Sequence, residues 1–129
     1  MEVKLTPQEA ESYFYNSLCN GLSYLMDYGL EIKYDSNDYK TAKKTLLENS
    51  KDTICFEDVL LQILRNNKTI TLIDNENGQE SAEISILDVH ERVGKTPIKH
   101  LIDAISENDD AETADVILQT VFYKEVIFG

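Results

Sequence analysis

The stretch DVILQTV, residues 115–121, has a near double earlier in the chain, DVLLQIL at residues 58–64. Each is an aliphatic run behind an aspartate. Each is followed by a short polar joint containing lysine and then by an extended apolar run, RNNKTITLID after the first and FYKEVIFG after the second. The segments ahead of them, TICFE and DAETA, have nothing in common. The match therefore reads as one packing problem solved twice, not as a duplicated gene. In both copies the aspartate belongs in the first helical turn, where the peptide dipoles favour negative charge. The aliphatic residues are core, and the glutamine is the exposed, helix-compatible position.

The same order, helix then strand, occurs at the start of the chain without the matching letters. Thr6-Pro7-Gln8-Glu9 carries a threonine cap, a proline for the first helical position and a glutamate to close a capping box. Ala10, Phe14, Leu18, Leu22 and Leu25 then recur at spacings of three and four, one helical face. Gly29 ends that helix, and LEIKY (30–34) alternates as a half-buried strand. Asp35 or Ser36 caps a second helix with Tyr39, Ala42 and Leu46 inward. ENSKD (48–52) is a polar joint, so a seam is conceivable near 48–53. Phe56, Val59, Leu60, Ile63 and Leu64 then form a broad buried face, stopped by Asn66-Asn67.

TITLID (69–74) is short and β-branched, and SAEISI (81–86) places Ala82, Ile84 and Ile86 on one face. Asn77-Gly78 between them predicts a hairpin with a type I′ turn. Residues 87–95 fit either a short helix or the end of that strand. Thr96-Pro97 starts another helix, with Ile98, Leu101, Ile102 and Ile105 inward. Asp109 and Glu112 cap the last one, and KEVIFG (124–129) reads as a terminal strand. The expected fold is α+β: one domain over 1–129, a small mainly antiparallel sheet of about four strands (30–34, 69–74, 81–86, 124–128), and four to five helices mostly on one face.

A chain of 129 residues with 42% hydrophobic content supports one core. Area scaling expects roughly 7,000 Å² of folded surface. No run approaches the roughly 20 apolar residues that span a bilayer, and the polar, acidic MEVKLTPQEAESYF lacks the plan of a signal peptide. A cytoplasmic setting is the expectation, with Cys19 and Cys55 as buried thiols in apolar helical contexts. Asn67-Lys68-Thr69 is then a chance sequon.

Charge is the strongest global signal. The chain has 24 acidic and 12 basic residues, a net of −12, and 13 acids against 4 bases fall after residue 68. Such a surface repels phosphate, so direct nucleic-acid binding and anionic membranes are disfavoured. It either solubilises the domain or meets a basic partner.

Motifs with chemistry are few. Gly94-Lys95-Thr96 lacks the earlier glycine of a phosphate loop, because position 89 is valine. Asp74-Asn75-Glu76-Asn77-Gly78 has its glycine one place too early for an EF-hand, and residue 85 is serine where the glutamate belongs. His90 and His100, with Asp88, Glu91 and Asp103 nearby, could form a two-histidine, one-carboxylate metal site, but lack zincin spacing. A cysteine nucleophile is disfavoured by the apolar settings of Cys19 and Cys55. No catalytic, cofactor or metal residue is therefore assigned.

Six of the seven tyrosines fall in the first 39 residues. Tyr13, Tyr24 and Tyr28 lie beyond the core face of the first helix, and tyrosine suits interfaces. With Val126 and Phe128 of the terminal run they form the expected interface set, unless the domain itself covers them. The function expected is a non-enzymatic acidic interaction or assembly protein, working on a protein partner or by self-association. Its richness in Asn, Lys, Ile and Tyr matches small phage and mobile-element proteins. Two alternatives stand beside it. One is an acidic nucleic-acid mimic that blocks a DNA- or RNA-binding protein. The other is a small enzyme or metal- or ligand-binding domain using His90 and His100.

Overall fold

The computed structural model describes residues 2–49, 53–108 and 110–129. The first helix, α1 (Pro7–Asp27), starts as its letters require: Thr6 Oγ1 accepts from Glu9 N–H at 3.1 Å, and Thr6 N–H donates to Glu9 Oε1 at 2.9 Å. Gly29, at φ +84°, turns the chain into β1 (Leu30–Lys33). Asp35 then caps α2 (Ser36–Glu48), accepting from Asn37 and Asp38 N–H. The helix α3 (Phe56–Arg65) closes with Asn67 at φ +62° and leads to β2 (Thr71–Asp74). Three helices follow: α4 (Ile86–Arg92), prolonged by a 3-10 turn at Val93–Lys95, α5 (Ile98–Ile105) and α6 (Ala111–Tyr123). Asp110 caps α6 by accepting from Thr113 N–H, while Asp109, expected in that role, lies outside the described residues.

The expected sheet is corrected. Among the described residues six α-helices dominate and the sheet has two strands, β1 antiparallel to β2 with Leu30 opposite Asp74 and Lys33 opposite Thr71. The 69–74/81–86 hairpin does not form as a ladder. Ile70 and Ile84 make one isolated bridge, and Leu72 N–H is taken by the Ser81 hydroxyl at 2.9 Å. A side chain thus stands where a second strand's carbonyl would be. Downstream, Ser85 is already the N-cap of α4, with Asp88 accepting its N–H at 2.8 Å. Asn77-Gly78 belongs to a wider loop gathered by Asp74, whose carboxylate accepts from the N–H groups of Glu76, Asn77 and Gln79. These bonds, Asn77's foremost, hold the Asp74 carboxyl below its ordinary range despite opposing burial.

The 124–128 strand is likewise absent. Lys124, at φ +69°, ends α6, and the tail folds back over that helix. Gln119 holds it: Oε1 accepts from the N–H groups of Ile127 and Phe128, each at 2.8 Å, and Nε2 donates to Phe128 O and Asp115 Oδ1. Gln119 is therefore fully buried, not the exposed position its letter suggested. The two seven-residue matches do different work. Asp58 lies in the first turn of α3, whereas Asp115 is buried in the second turn of α6, accepting from Tyr28 Oη at 2.8 Å.

Helix α6 is the centre of the molecule, with every residue from Thr113 to Phe122 buried. Its most extensive partner is α1. The two helices meet at Gly21, where a Cβ would stand 2.9 Å from Ala114 Cβ and 3.1 Å from Asp115 N. Leu60, Ile63 and Leu64 of α3, Leu18 of α1, Val89 of α4, Leu101 of α5 and Leu118 of α6 share one core. The accessible area is 7290 Å², close to the roughly 7,000 Å² that scaling expects for a folded chain of this mass.

Candidate functional site: an apolar groove along an open strand edge

Beside β1 runs a groove of about 210 Å³. The end of α1 supplies Leu22, Leu25 and Met26, the strands supply Leu30, Ile32 and Leu72, and Tyr34 and Phe56 close it. Met26 is 69% exposed. Tyr34 stacks on Tyr39 of α2 at 4.9 Å, and both rings lean on Phe56, at 6.0 and 6.2 Å.

The groove lies over the face of the sheet that carries Leu30, Ile32 and Leu72, and the register shows which backbone groups the adjoining outer edge of β1 offers. Asn75 N–H donates to Gly29 O at 3.0 Å, one step beyond the ladder's Leu30–Asp74 pair. Antiparallel pairs alternate between bonded and non-bonded. Glu31 and Lys33 therefore face β2, while the N–H and C=O groups of Leu30 and Ile32 point outward. Among the described residues, no group hydrogen-bonds those outward positions.

On the other side of Tyr34 lies a wider basin of about 640 Å³. Asp35, Asp38, Glu80 and Glu83 line it together with Lys33 and with Thr71 and Ile73 of β2. The site is thus bipartite: an apolar slot beside unpaired backbone, and an acidic basin, with Tyr34 as the shared wall.

No protein-family model, curated protein or solved structure matches the chain. Among the described residues no helix is long and apolar enough to cross a membrane.

The expected interface residues fall in separate places. Tyr24 (38%) and Val126 (44%) are exposed, and Tyr13 packs half-buried against the core. Tyr28 and Phe128 stack on each other at 5.2 Å, joining α1 to the tail. None of the five lines the groove. Among the residues that do, Leu22, Leu25 and Phe56 carry the letters of core faces, and Met26 falls outside the apolar stripe of α1. The crowding of tyrosines before residue 40 is the one sequence signal near the groove, and by helical spacing it singles out Tyr13, Tyr24 and Tyr28 instead of Tyr34.

The histidines are not brought to one site. His90 Nε2 pairs with Glu11 Oε2 at 2.7 Å, and His100 Nδ1 contacts Thr113 Oγ1 at 3.2 Å. Burial works to raise the Glu11 carboxyl, but bonds from Arg65 and His90 outweigh it and hold the group below its ordinary range. The trio ties α1, α3 and α4 together. Among the described residues no group of three or more His, Cys, Asp or Glu could hold a metal ion. Cys19 and Cys55, expected to be buried, are exposed. Cys19 is one step off the α1 core stripe, and Cys55 is the N-cap residue of α3.

Burial, followed by the bond to Asp115, pushes the Tyr28 phenol from 10.0 up to about 12, and burial with Asp74 and Glu80 does the same for Tyr123. A raised phenol pKa means that folding favours the neutral form. That stability is fully present below pH 10 and is lost as pH rises through about 12. Tyrosinate absorbance at 295 nm should show a late phase near pH 12 that coincides with loss of helical circular dichroism, and Tyr28→Phe should shrink it. A single phase near pH 10 with the helices intact would show that Tyr28 is not locked to α6.

Proposed function

We propose that this chain is a non-enzymatic interaction protein that binds an extended, lysine- or arginine-bearing segment of a protein partner along β1. The observation that carries this reading is the meeting of three complementary features at Tyr34. Unpaired strand backbone offers hydrogen bonds to an added strand, the groove takes alternate apolar side chains, and the acidic basin takes basic ones. The net charge of −12 adds long-range attraction for such a partner. A nucleic-acid mimic would need its carboxylates on a convex face, and this acidic group lines a concavity instead.

The test is affinity capture from the native host with quantitative mass spectrometry, comparing wild type with Met26→Asp/Tyr34→Ala. Met26 is 69% exposed, while Tyr34, at 37%, also stacks on Tyr39, so the double variant should lose about 0.5–1.5 kcal/mol and stay folded. Capture of a basic partner should fall at least about tenfold. Leu87→Asp, 71% exposed on α4, is the control and should capture normally. Unchanged capture by the double variant, or an equal loss in the control, would remove the groove from the function. A captured copy of this chain would make self-association the activity.

A further inference from the structure

We infer that α5 is a self-association surface, on which a second copy of this chain docks its own α5 antiparallel. The helix buries one side only. Leu101 and Ala104 are buried, whereas Ile98, Ile102 and Ile105, expected inward from their spacing, stand between 37% and 52% exposed. Steps of four and then three residues align these three along the outer side of the helix. The same steps form the apolar seam by which two helices pack side by side. An exposed apolar stripe of this kind marks a contact surface. At its C-terminal end the stripe borders a hollow of about 360 Å³, which Ile105 and Glu107 line together with Glu9 and Tyr13 of α1. Tyr13, one of the expected interface residues, thus lies beside it.

Charge selects the occupant. The other five α-helices each carry an acid in the first turn. In α5 that turn carries Lys99 and no acid, with Lys95 just ahead of it, while Asp103 and Glu107 lie toward the C-terminal end. This order runs against the helix's own dipole, which favours acids at the start and bases at the end. Among the described residues no ion pair engages Lys99, Asp103 or Glu107.

An antiparallel second copy reverses the disadvantage. Turned about a twofold axis near residues 101 and 102, it sets Ile98 against the other Ile105. Each Lys99 then lies beside the other copy's Asp103, near the negative end of the other helix. One patch is complementary to itself, as a twofold contact requires. The net charge of −12 opposes the approach of two copies. At physiological salt, however, exposed charges act over only about 8 Å. Of the four bases after residue 68, Arg92, Lys95 and Lys99 are gathered at the head of this helix. An eight-residue helix offers less than a standard interface, so the dimer is a weak one.

Sedimentation velocity on the full chain, from about 1 µM to 1 mM, tests this, with an expected dissociation constant of about 10–300 µM. Ile102→Glu, at the most exposed of the three positions, should keep the wild-type melt and weaken the dimer at least about tenfold. Lys99→Glu and Asp103→Lys should each weaken it at least about fivefold, because like charges then meet twice. The double variant Lys99→Glu/Asp103→Lys restores opposite charges and should return the dimer. Met26→Asp/Tyr34→Ala should dimerise as wild type does, so the groove and this face stand or fall separately. A copy of the chain held by α5 persists in that variant, and one held by the groove does not. A chain monomeric throughout, a dimer indifferent to Ile102→Glu or lost with the groove variant, or a double charge variant as weak as its singles would each overturn the assignment.

Discussion

Replacing Gly21 with leucine should cost about 3 kcal/mol or more, a large share of the stability of a domain this size. The position has no room even for a methyl group. A Cβ there would approach Ala114 Cβ to 2.9 Å and the Ala114 carbonyl carbon to 3.0 Å. The second of those atoms is backbone, so no rotamer change relieves it. Among the described residues the seam is also the most extensive between two elements, and its far side is a helix buried on every face. Separating α1 from α6 would therefore open the core, not a local patch. Gly21→Ala should fall between wild type and the leucine variant, at roughly 1–3 kcal/mol, because helix propensity returns part of the loss. Urea melts of the three proteins measure the series. A leucine variant as stable as wild type would mean that α1 and α6 do not touch at Gly21.

Leu60→Ala and Leu118→Ala should each cost about 2–5 kcal/mol by leaving a cavity in a packed interior. Both side chains are fully buried, Leu60 in the third place of DVLLQIL and Leu118 in the fourth place of DVILQTV. Their surroundings differ. Leu60 lies on a helix with an exposed face, where neighbours have freedom to relax, whereas Leu118 lies on one enclosed all round. Leu118→Ala should therefore sit nearer the upper end of the range. Denaturant melts check both, and a neutral result at either position would break the assignment of that run to the core.

What the letters disclosed follows from where the deciding interactions lie. Thr6 with Glu9, Asp35 with Asn37, and Gly29 at the end of α1 act within a few residues, so each was legible. The apolar stripe of α1 and the aliphatic run of α3 were legible for the same reason. Strand 81–86 failed because Ser81 took the ladder bond with its hydroxyl and Ser85 began a helix. The terminal strand failed because its partner is a side chain, Gln119, reached across the turn at Lys124. Neither substitution leaves a periodic trace. The groove was hidden differently. Leu22, Leu25 and Phe56 look like core letters, and only the folded arrangement leaves them beside an open edge. The tyrosines were conspicuous, but their count could not separate Tyr34, which borders the groove, from Tyr28, which stacks half-buried on Phe128.

The enclosure of α6 bears on how this sequence is able to drift. An ordinary surface helix has a face where one letter exchanges for another at little cost, and that freedom recurs with the helical period. Thr113 through Phe122 have no such face. Their polar members are held as firmly as their aliphatic ones: Asp115 by Tyr28, Gln119 by the returning tail, and Thr120 by the Val116 carbonyl. Acceptable changes there come in compensated pairs, a residue of α6 together with its partner on α1 or the tail. Over evolutionary time this decade of residues would read as one unbroken block, with its partners changing in step and no period of 3.6 to reveal that it is a helix.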